Sequence, residues 1–213
     1  MHLTITELIG ILDRGGLVAF ALSGVEVGYR RKLDVFGLLV MGVVTATGGG
    51  LLRDVAIGRL PLVLDKPDYL LWGVAGSIIG IWLVWRRRKV PRLVLDVAEA
   101  AGLGAFAAAW TLAALRADLA LPAGILLAIL TATGGGVVRD LLADRVPLVL
   151  KSEVNASAAA LGAIAIWIAE PVSVGGAALL GVAVTALVKV AGQAFNLHLP
   201  APGRGEGQQG RLL

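Results

Sequence analysis

The ten residues Thr45-Ala-Thr-Gly-Gly-Gly-Leu-Leu-Arg-Asp54 return as Thr131-Ala-Thr-Gly-Gly-Gly-Val-Val-Arg-Asp140, 86 positions later. At the same offset, without a gap, Gly16-Leu-Val-Ala-Phe-Ala21 faces Gly102-Leu-Gly-Ala-Phe-Ala107, and Arg59-Leu-Pro-Leu-Val-Leu64 faces Arg145-Val-Pro-Leu-Val-Leu150. Chance does not produce this, so the chain is an internal duplication and its architecture must be built from two copies of one unit.

What one unit folds into follows from its apolarity. With 57% hydrophobic and 16% charged residues and a mean hydropathy of +0.84, the chain is too apolar for a soluble domain, and the bilayer is its natural solvent. A transmembrane helix needs roughly 20 mostly apolar residues. Seven stretches approach this, at about 8–29, 35–57, 69–85, 93–115, 121–143, 154–170 and 173–195. Three fall in each copy, and an odd number of crossings makes the second copy enter from the opposite side, so the repeats are inverted. The predicted fold is therefore an all-α membrane protein of seven transmembrane helices. Residues 1–91 form the first three-helix repeat, 92–171 the inverted second, 172–195 a seventh helix outside the symmetry, and 196–213 a Pro- and Gly-rich disordered tail.

Basic residues in the short loops give orientation. Arg30-Arg31-Lys32, Arg86-Arg87-Arg88-Lys89, Arg92, Arg145, Lys151 and the tail arginines fall on one side; Arg14, Arg59, Lys66 and Arg116 fall on the other. The N-terminus is predicted outside and the C-terminus in the cytoplasm. The net charge of +4 is explained by this topology rather than by nucleic acid, which is not expected as a partner. Ala19-Phe20-Ala21 resembles a signal cleavage site, but Glu7 stands where positive charge belongs and Asp13-Arg14 interrupts the apolar run, so the first segment is read as a retained helix. Cysteine is absent, which excludes disulfides and thiolate metal sites; His2 and His198 are read as surface residues.

Three consecutive glycines inside an apolar helix cost about 1 kcal/mol each relative to alanine. In hydrocarbon an unwound backbone survives only where protein or a water-filled cavity satisfies it. Gly48, Gly49, Gly50 and Gly134, Gly135, Gly136 are therefore expected to break segments 2 and 5 at the centre of the molecule, with Pro61 and Pro147 ending short second half-helices. Such breaks in corresponding positions of inverted repeats point to an ion or substrate site, to which Thr45, Thr47, Thr131 and Thr133 add hydroxyl oxygens. The alternative is that the glycines allow close helix packing. Arg53-Asp54 and Arg139-Asp140 follow inside apolar sequence, where ionisable residues face an interior or an aqueous cavity. Buried salt bridges, crossed between the repeats, and direct contact with ions both remain open for them.

Asp13 and Glu99 stand at equivalent positions, Asp96 faces Gly10, and Glu26 precedes Tyr29-Arg30-Arg31; all are read as interfacial charges. The five tryptophans, Trp72, Trp82, Trp85, Trp110 and Trp167, fit packing or interfacial anchoring. Segment 4 is dense in small residues, and Gly76 and Gly80 form G-x-x-x-G, so helices approach closely there. No P-loop lysine, no Cys or His ligand set and no nucleophile with a base is present, so neither catalysis nor a cofactor is expected, nor a metal beyond a permeating ion.

The doubled T-x-T-G-G-G-x-x-R-D with R-x-P downstream and G-L-x-A-F-A upstream, over residues 8–195, resembles the prokaryotic branch of the trimeric intracellular cation (TRIC) channel family. The resemblance implies a homotrimer in a prokaryotic plasma membrane, with a pore inside each subunit and passive permeation of monovalent cations such as potassium and sodium, chiefly potassium. It implies that the pore is lined by Thr45, Thr47, Gly48, Gly49, Gly50, Arg53, Asp54, Thr131, Thr133, Gly134, Gly135, Gly136, Arg139 and Asp140. Animal members carry a Lys-Glu pair where this chain has Ala46-Thr47, so phosphoinositide binding does not carry over. Relatives of this type are also linked to transport of small amino acids, glycine above all, which keeps a secondary transporter as the alternative.

Overall fold

The computed structural model describes residues 4–86, 92–151 and 154–195. Arg87, Arg88 and Lys89 of the basic loop, both histidines and the tail 196–213 lie outside the described residues. The described chain is helical: α1 Ile5–Arg30, α2 Val35–Ala56, the short α3 Leu62–Asp65, α4 Pro67–Trp85, α5 Arg92–Arg116, α6 Leu121–Leu142, the short α7 Leu148–Lys151, α8 Val154–Ala169 and α9 Val174–Ala194. Five of these, α1, α2, α4, α6 and α9, are long and apolar enough to cross a membrane, and α8 is a shorter apolar helix. Large apolar side chains such as Phe36, Leu71, Trp85, Ile168 and Leu187 stay exposed on the outside of the bundle, as a lipid solvent permits.

The duplication is legible in the backbone. α2 and α3 reappear as α6 and α7 with the same lengths at the 86-residue offset. The helix ends repeat as well. Lys32, Gly58, Asp118 and Asp144 all adopt positive φ just past a helix, and each is followed by a residue whose N–H returns to a carbonyl five positions back: Leu33 to Gly28, Arg59 to Asp54, Leu119 to Ala114, Arg145 to Asp140. This is a left-handed helix stop, in which orphaned carbonyls find donors. At the other ends, Thr4 forms a capping box with Glu7, and Asp34 and Ser173 accept from Gly37 and Gly176.

In the first unit α1, α2 and α4 pack together, in the second α5, α6 and α8, and the units meet through α1 against α5 and α2 against α6. Both junctions are self-equivalent. Phe20 stacks on Phe106, its own counterpart, with centroids 5.2 Å apart, while Gly16 lies under Phe106 and Gly102 under Phe20. Along each junction the residue numbers rise on one helix as they fall on the other, so equivalent helices run in opposite directions. The unpaired α9 packs on α8 and α5 and so breaks the symmetry.

Two expectations fail here. The glycine triplets do not break their helices: α2 and α6 are continuous α-helix through Gly48–Gly50 and Gly134–Gly136. Their job is packing. A Cβ on Gly49 would strike the Thr131 carbonyl oxygen and one on Gly135 would strike that of Thr45, a reciprocal pair of close backbone contacts. A Cβ on Gly134 would come within 3.0 Å of the Gly49 Cα, a less severe contact. Dispersion and Cα–H···O contacts over this crossing offset the poor helix propensity of glycine. Nor do Pro61 and Pro147 end half-helices. Each stands immediately before a short helix, α3 and α7, where a missing N–H costs nothing.

Candidate functional site

The Arg-Asp pairs sit one helical turn beyond the glycine crossing. Because α2 and α6 run oppositely, the pairs lie at its two ends. The salt bridges form within each pair and are not crossed between repeats. Arg53 donates through Nε to Asp54 Oδ1 at 2.9 Å, and Arg139 likewise to Asp140 Oδ1 at 3.0 Å. The second carboxylate oxygen accepts a backbone N–H at the start of the following short helix, from Leu62 at 2.8 Å and from Leu148 at 2.9 Å. Each aspartate thus ties the end of a long helix to the re-entry of the chain, and all four side chains are buried.

The surroundings differ. At the first pair, the Arg53 guanidinium lies 3.2 Å from the centroid of the Trp110 ring. The N–H of the same indole donates to Asp13 Oδ1 at 3.2 Å, and the Tyr69 hydroxyl donates to Asp13 Oδ2 at 3.1 Å. Asp13 is 2% exposed. At the second pair, Arg139 Nη1 reaches Glu99 Oε1 and Ser23 Oγ, both at 2.6 Å, Ser23 Oγ also donates to Glu99 Oε1, and Lys189 Nζ donates to Glu99 Oε2 at 3.2 Å. Asp13 and Glu99 are therefore not interfacial charges; burial against the partners of α4, α5, α6 and α9 makes them part of the interior network. Glu26 is partly exposed and paired with Arg30 one turn on.

A cavity descends beside the first cluster, lined by Asp13, Thr47, Gly50, Arg53, Asp54 and Tyr69, and by Thr131 of the second unit. It shares Asp13, Leu62 and Tyr69 with a wider vestibule bearing Arg14, Arg59, Lys66 and Arg116. Of the residues expected at the pathway, Thr47, Gly50, Arg53, Asp54 and Thr131 meet at this cavity. Thr45, Gly48, Gly49, Gly134 and Gly135 are buried in the crossing itself, while Thr133 and Gly136 are half-buried on α6. Arg139 and Asp140 lie at the opposite end. All four threonine hydroxyls donate to the carbonyl four residues back, at 2.6–2.8 Å, leaving their oxygen lone pairs as acceptors.

Sequence reasoning missed Ser23, Tyr69 and Lys189, and read Trp110 only as a packing or anchoring residue. Lys189 carried a signal: it is a lone cation in an otherwise apolar α9, and intramembrane ionisable residues call for a partner. Ser23 and Tyr69 carried none. Among the described residues there is no group of three or more His, Asp or Glu side chains arranged to hold a metal ion.

The model of a family described as glycine transporter matches the chain twice, over residues 10–85 and 96–171. The inner membrane protein YadS of Escherichia coli (strain K12) is 35% identical over 193 residues, which span 89% of this chain and 93% of that one. A membrane protein of Deinococcus radiodurans is 38% identical over 172 residues, 79% of each chain. Among solved structures, a prokaryotic TRIC channel crystallised in 0.5 M KCl superposes with TM-score 0.81 at 28% identity, covering 91% of this chain and all of that one. The TRIC channel orthologue of Rhodobacter sphaeroides superposes with TM-score 0.80 at 30% identity, covering 89% and 98%.

Proposed function

Because the chain belongs to the prokaryotic branch of the trimeric intracellular cation (TRIC) channel family, we propose that it is a potassium-permeable channel for monovalent cations, a homotrimer with a pathway inside each subunit. It is a membrane protein of a channel and transporter family. In this reading the units 1–91 and 92–171 are inverted repeats, 172–195 adds the seventh crossing, and the pathway follows the α2–α6 crossing. The N-terminus is outside and the C-terminus in the cytoplasm of a prokaryotic cell, and there is no enzyme activity. The opposite directions of equivalent helices support the inversion.

The observation that carries the reading is the cavity itself. It runs from the vestibule past Asp13 and the Arg53–Asp54 pair to Thr131 of the other repeat, so that polar groups from both repeats converge on one passage. Its inner end meets the glycine crossing, where backbones touch; the conformation is closed at the centre. Opening then requires α2 and α6 to separate at Gly49 and Gly135, where few side-chain contacts resist sliding. Twelve of the fourteen residues singled out in the sequence divide accordingly: those at the cavity line the path, those in the crossing gate it, and Arg139 and Asp140 flank its far exit.

A closed centre with one accessible side is also the form an alternating-access carrier takes, and the glycine transporter description of the family model favours that second reading. Planar-bilayer recording of the purified protein in potassium and sodium gradients separates them. Unitary currents that reverse at the cation equilibrium potential are expected; saturable glycine uptake without such currents would replace the channel by the carrier.

A further inference from the structure

We propose that the Asp13 carboxylate is a binding site for one monovalent cation of potassium or ammonium size, and that Lys189 fills the pseudo-equivalent site at Glu99 with a tethered ammonium. Asp13 and Glu99 are related by the 86-residue repeat. Each lies beside an Arg-Asp pair, so each cluster begins with two carboxylates and one guanidinium. At the Glu99 end the missing positive charge is supplied by Lys189, whose Nζ is 3.2 Å from Glu99 Oε2 and whose side chain is 2% exposed. α9 has no counterpart in the repeat, so among the described residues no equivalent ammonium reaches Asp13.

Among the described residues no cationic side chain forms an ion pair with Asp13. The Trp110 indole touches both, taking the Arg53 guanidinium on its face and giving its N–H to the Asp13 carboxylate, while Arg53 makes its ion pair with Asp54. The neighbouring Arg14 is paired with Asp68 at 2.7 Å. A buried carboxylate with no ion-pair partner of its own, sharing the one nearby guanidinium with Asp54, is costly, and a cation from the aqueous vestibule relieves it. Room and ligands are present. Asp13 lines both the cavity and the vestibule, and its two hydrogen bonds use two of about four lone-pair positions. The Tyr69 oxygen has its own lone pairs beside it. The basic residues of the vestibule do not cancel this attraction, because charges in open water are screened within about 8 Å at physiological salt while buried ones are not. The chemistry at the second cluster identifies the ligand: a primary ammonium is a monovalent cation close in size to potassium, and there it already sits against the equivalent carboxylate.

The proposal rests on the channel reading for its meaning but not for its test. Crystals of the full-length protein grown with rubidium in place of potassium should show an anomalous peak beside the Asp13 carboxylate, and that peak should vanish in Asp13→Asn. Lys189→Ala should add a second peak beside Glu99. The wild-type crystal decides even where Asp13→Asn fails to fold: no rubidium beside Asp13 overturns the proposal, whether or not the protein conducts. A Lys189→Ala crystal with no second peak overturns the equivalence of the two sites. Where currents are recorded, Asp13→Asn lowers the potassium-to-chloride permeability ratio severalfold, and an unchanged ratio overturns the site's part in selection without touching the channel reading.

Discussion

At one end of the α2–α6 crossing a buried guanidinium has a single carboxylate and an indole face; at the other it has two carboxylates and a serine hydroxyl, with a lysine ammonium close by. The local device is the same at both ends: Arg pairs with the next residue, and that aspartate holds the N–H of the short helix to come. What differs is contributed by other helices. Trp110 of α5 and Tyr69 of α4 surround one pair, Ser23 of α1 and Lys189 of α9 the other. Duplication therefore preserved the motif that each repeat makes alone and let the contacts from the surrounding helices diverge, which is where a symmetric scaffold acquires a direction.

The largest effect that bears on this contrast is expected from Asp54→Asn. Arg53 loses its one direct carboxylate partner, and an uncompensated buried charge costs about 3–5 kcal/mol. Asp140→Asn should cost clearly less, because Glu99 still pairs with Arg139. Thermal unfolding of the two variants in the same detergent checks the order, and equal losses would break the comparison between the clusters.

Next come Gly49→Ala and Gly135→Ala. The gain in helix propensity is about 1 kcal/mol, but the added methyl meets a backbone carbonyl that cannot rotate away, and overpacking typically costs about 1–3 kcal/mol. Net destabilisation, equal at the two positions because the contacts are reciprocal, is expected in the same assay. A stabilised variant would show that the crossing is looser than described.

Ser23→Ala probes the second cluster alone. It removes one hydroxyl from a network in which Glu99 and Arg139 remain paired, so the loss should be about 1 kcal/mol. A loss as large as that of Asp54→Asn would make Ser23 the organiser of that end.

The smallest effect is expected at Glu26→Gln. Its pair with Arg30 is a partly exposed i,i+4 contact, worth at most about 0.5 kcal/mol. Both stability and single-channel current should stay at wild-type level; a shift in current would bring this loop end into the pathway.

Much of the scaffold was legible because it is local. Long apolar runs, the 86-residue offset and the charged loop ends place the helices to within a few residues of their observed bounds. The Arg-Asp pairs could be singled out because charge inside apolar sequence demands a partner. The glycines were misread for an instructive reason. Helix propensity says that three in a row favour a break, but propensity is a term of about 1 kcal/mol per residue, and the facing carbonyl of another helix, 82 positions along for Gly49 and Thr131, outweighs it. Asp13 and Glu99 were placed at the membrane surface because their depth depends on how α1 and α5 lie against each other, which no periodicity in either helix records.

By itself, then, the sequence determined that the chain lies in a bilayer, that it is two copies of one helical unit with an added helix, and that charge stands inside each copy. These follow from composition, length and repetition, which act along the chain. Which charges meet was decided by tertiary structure alone. Asp13 finds Trp110 at a separation of 97 residues, and Glu99 finds Lys189 at 90. In a medium that offers no water to a buried ion, its partner is whatever the packing of distant helices brings within reach.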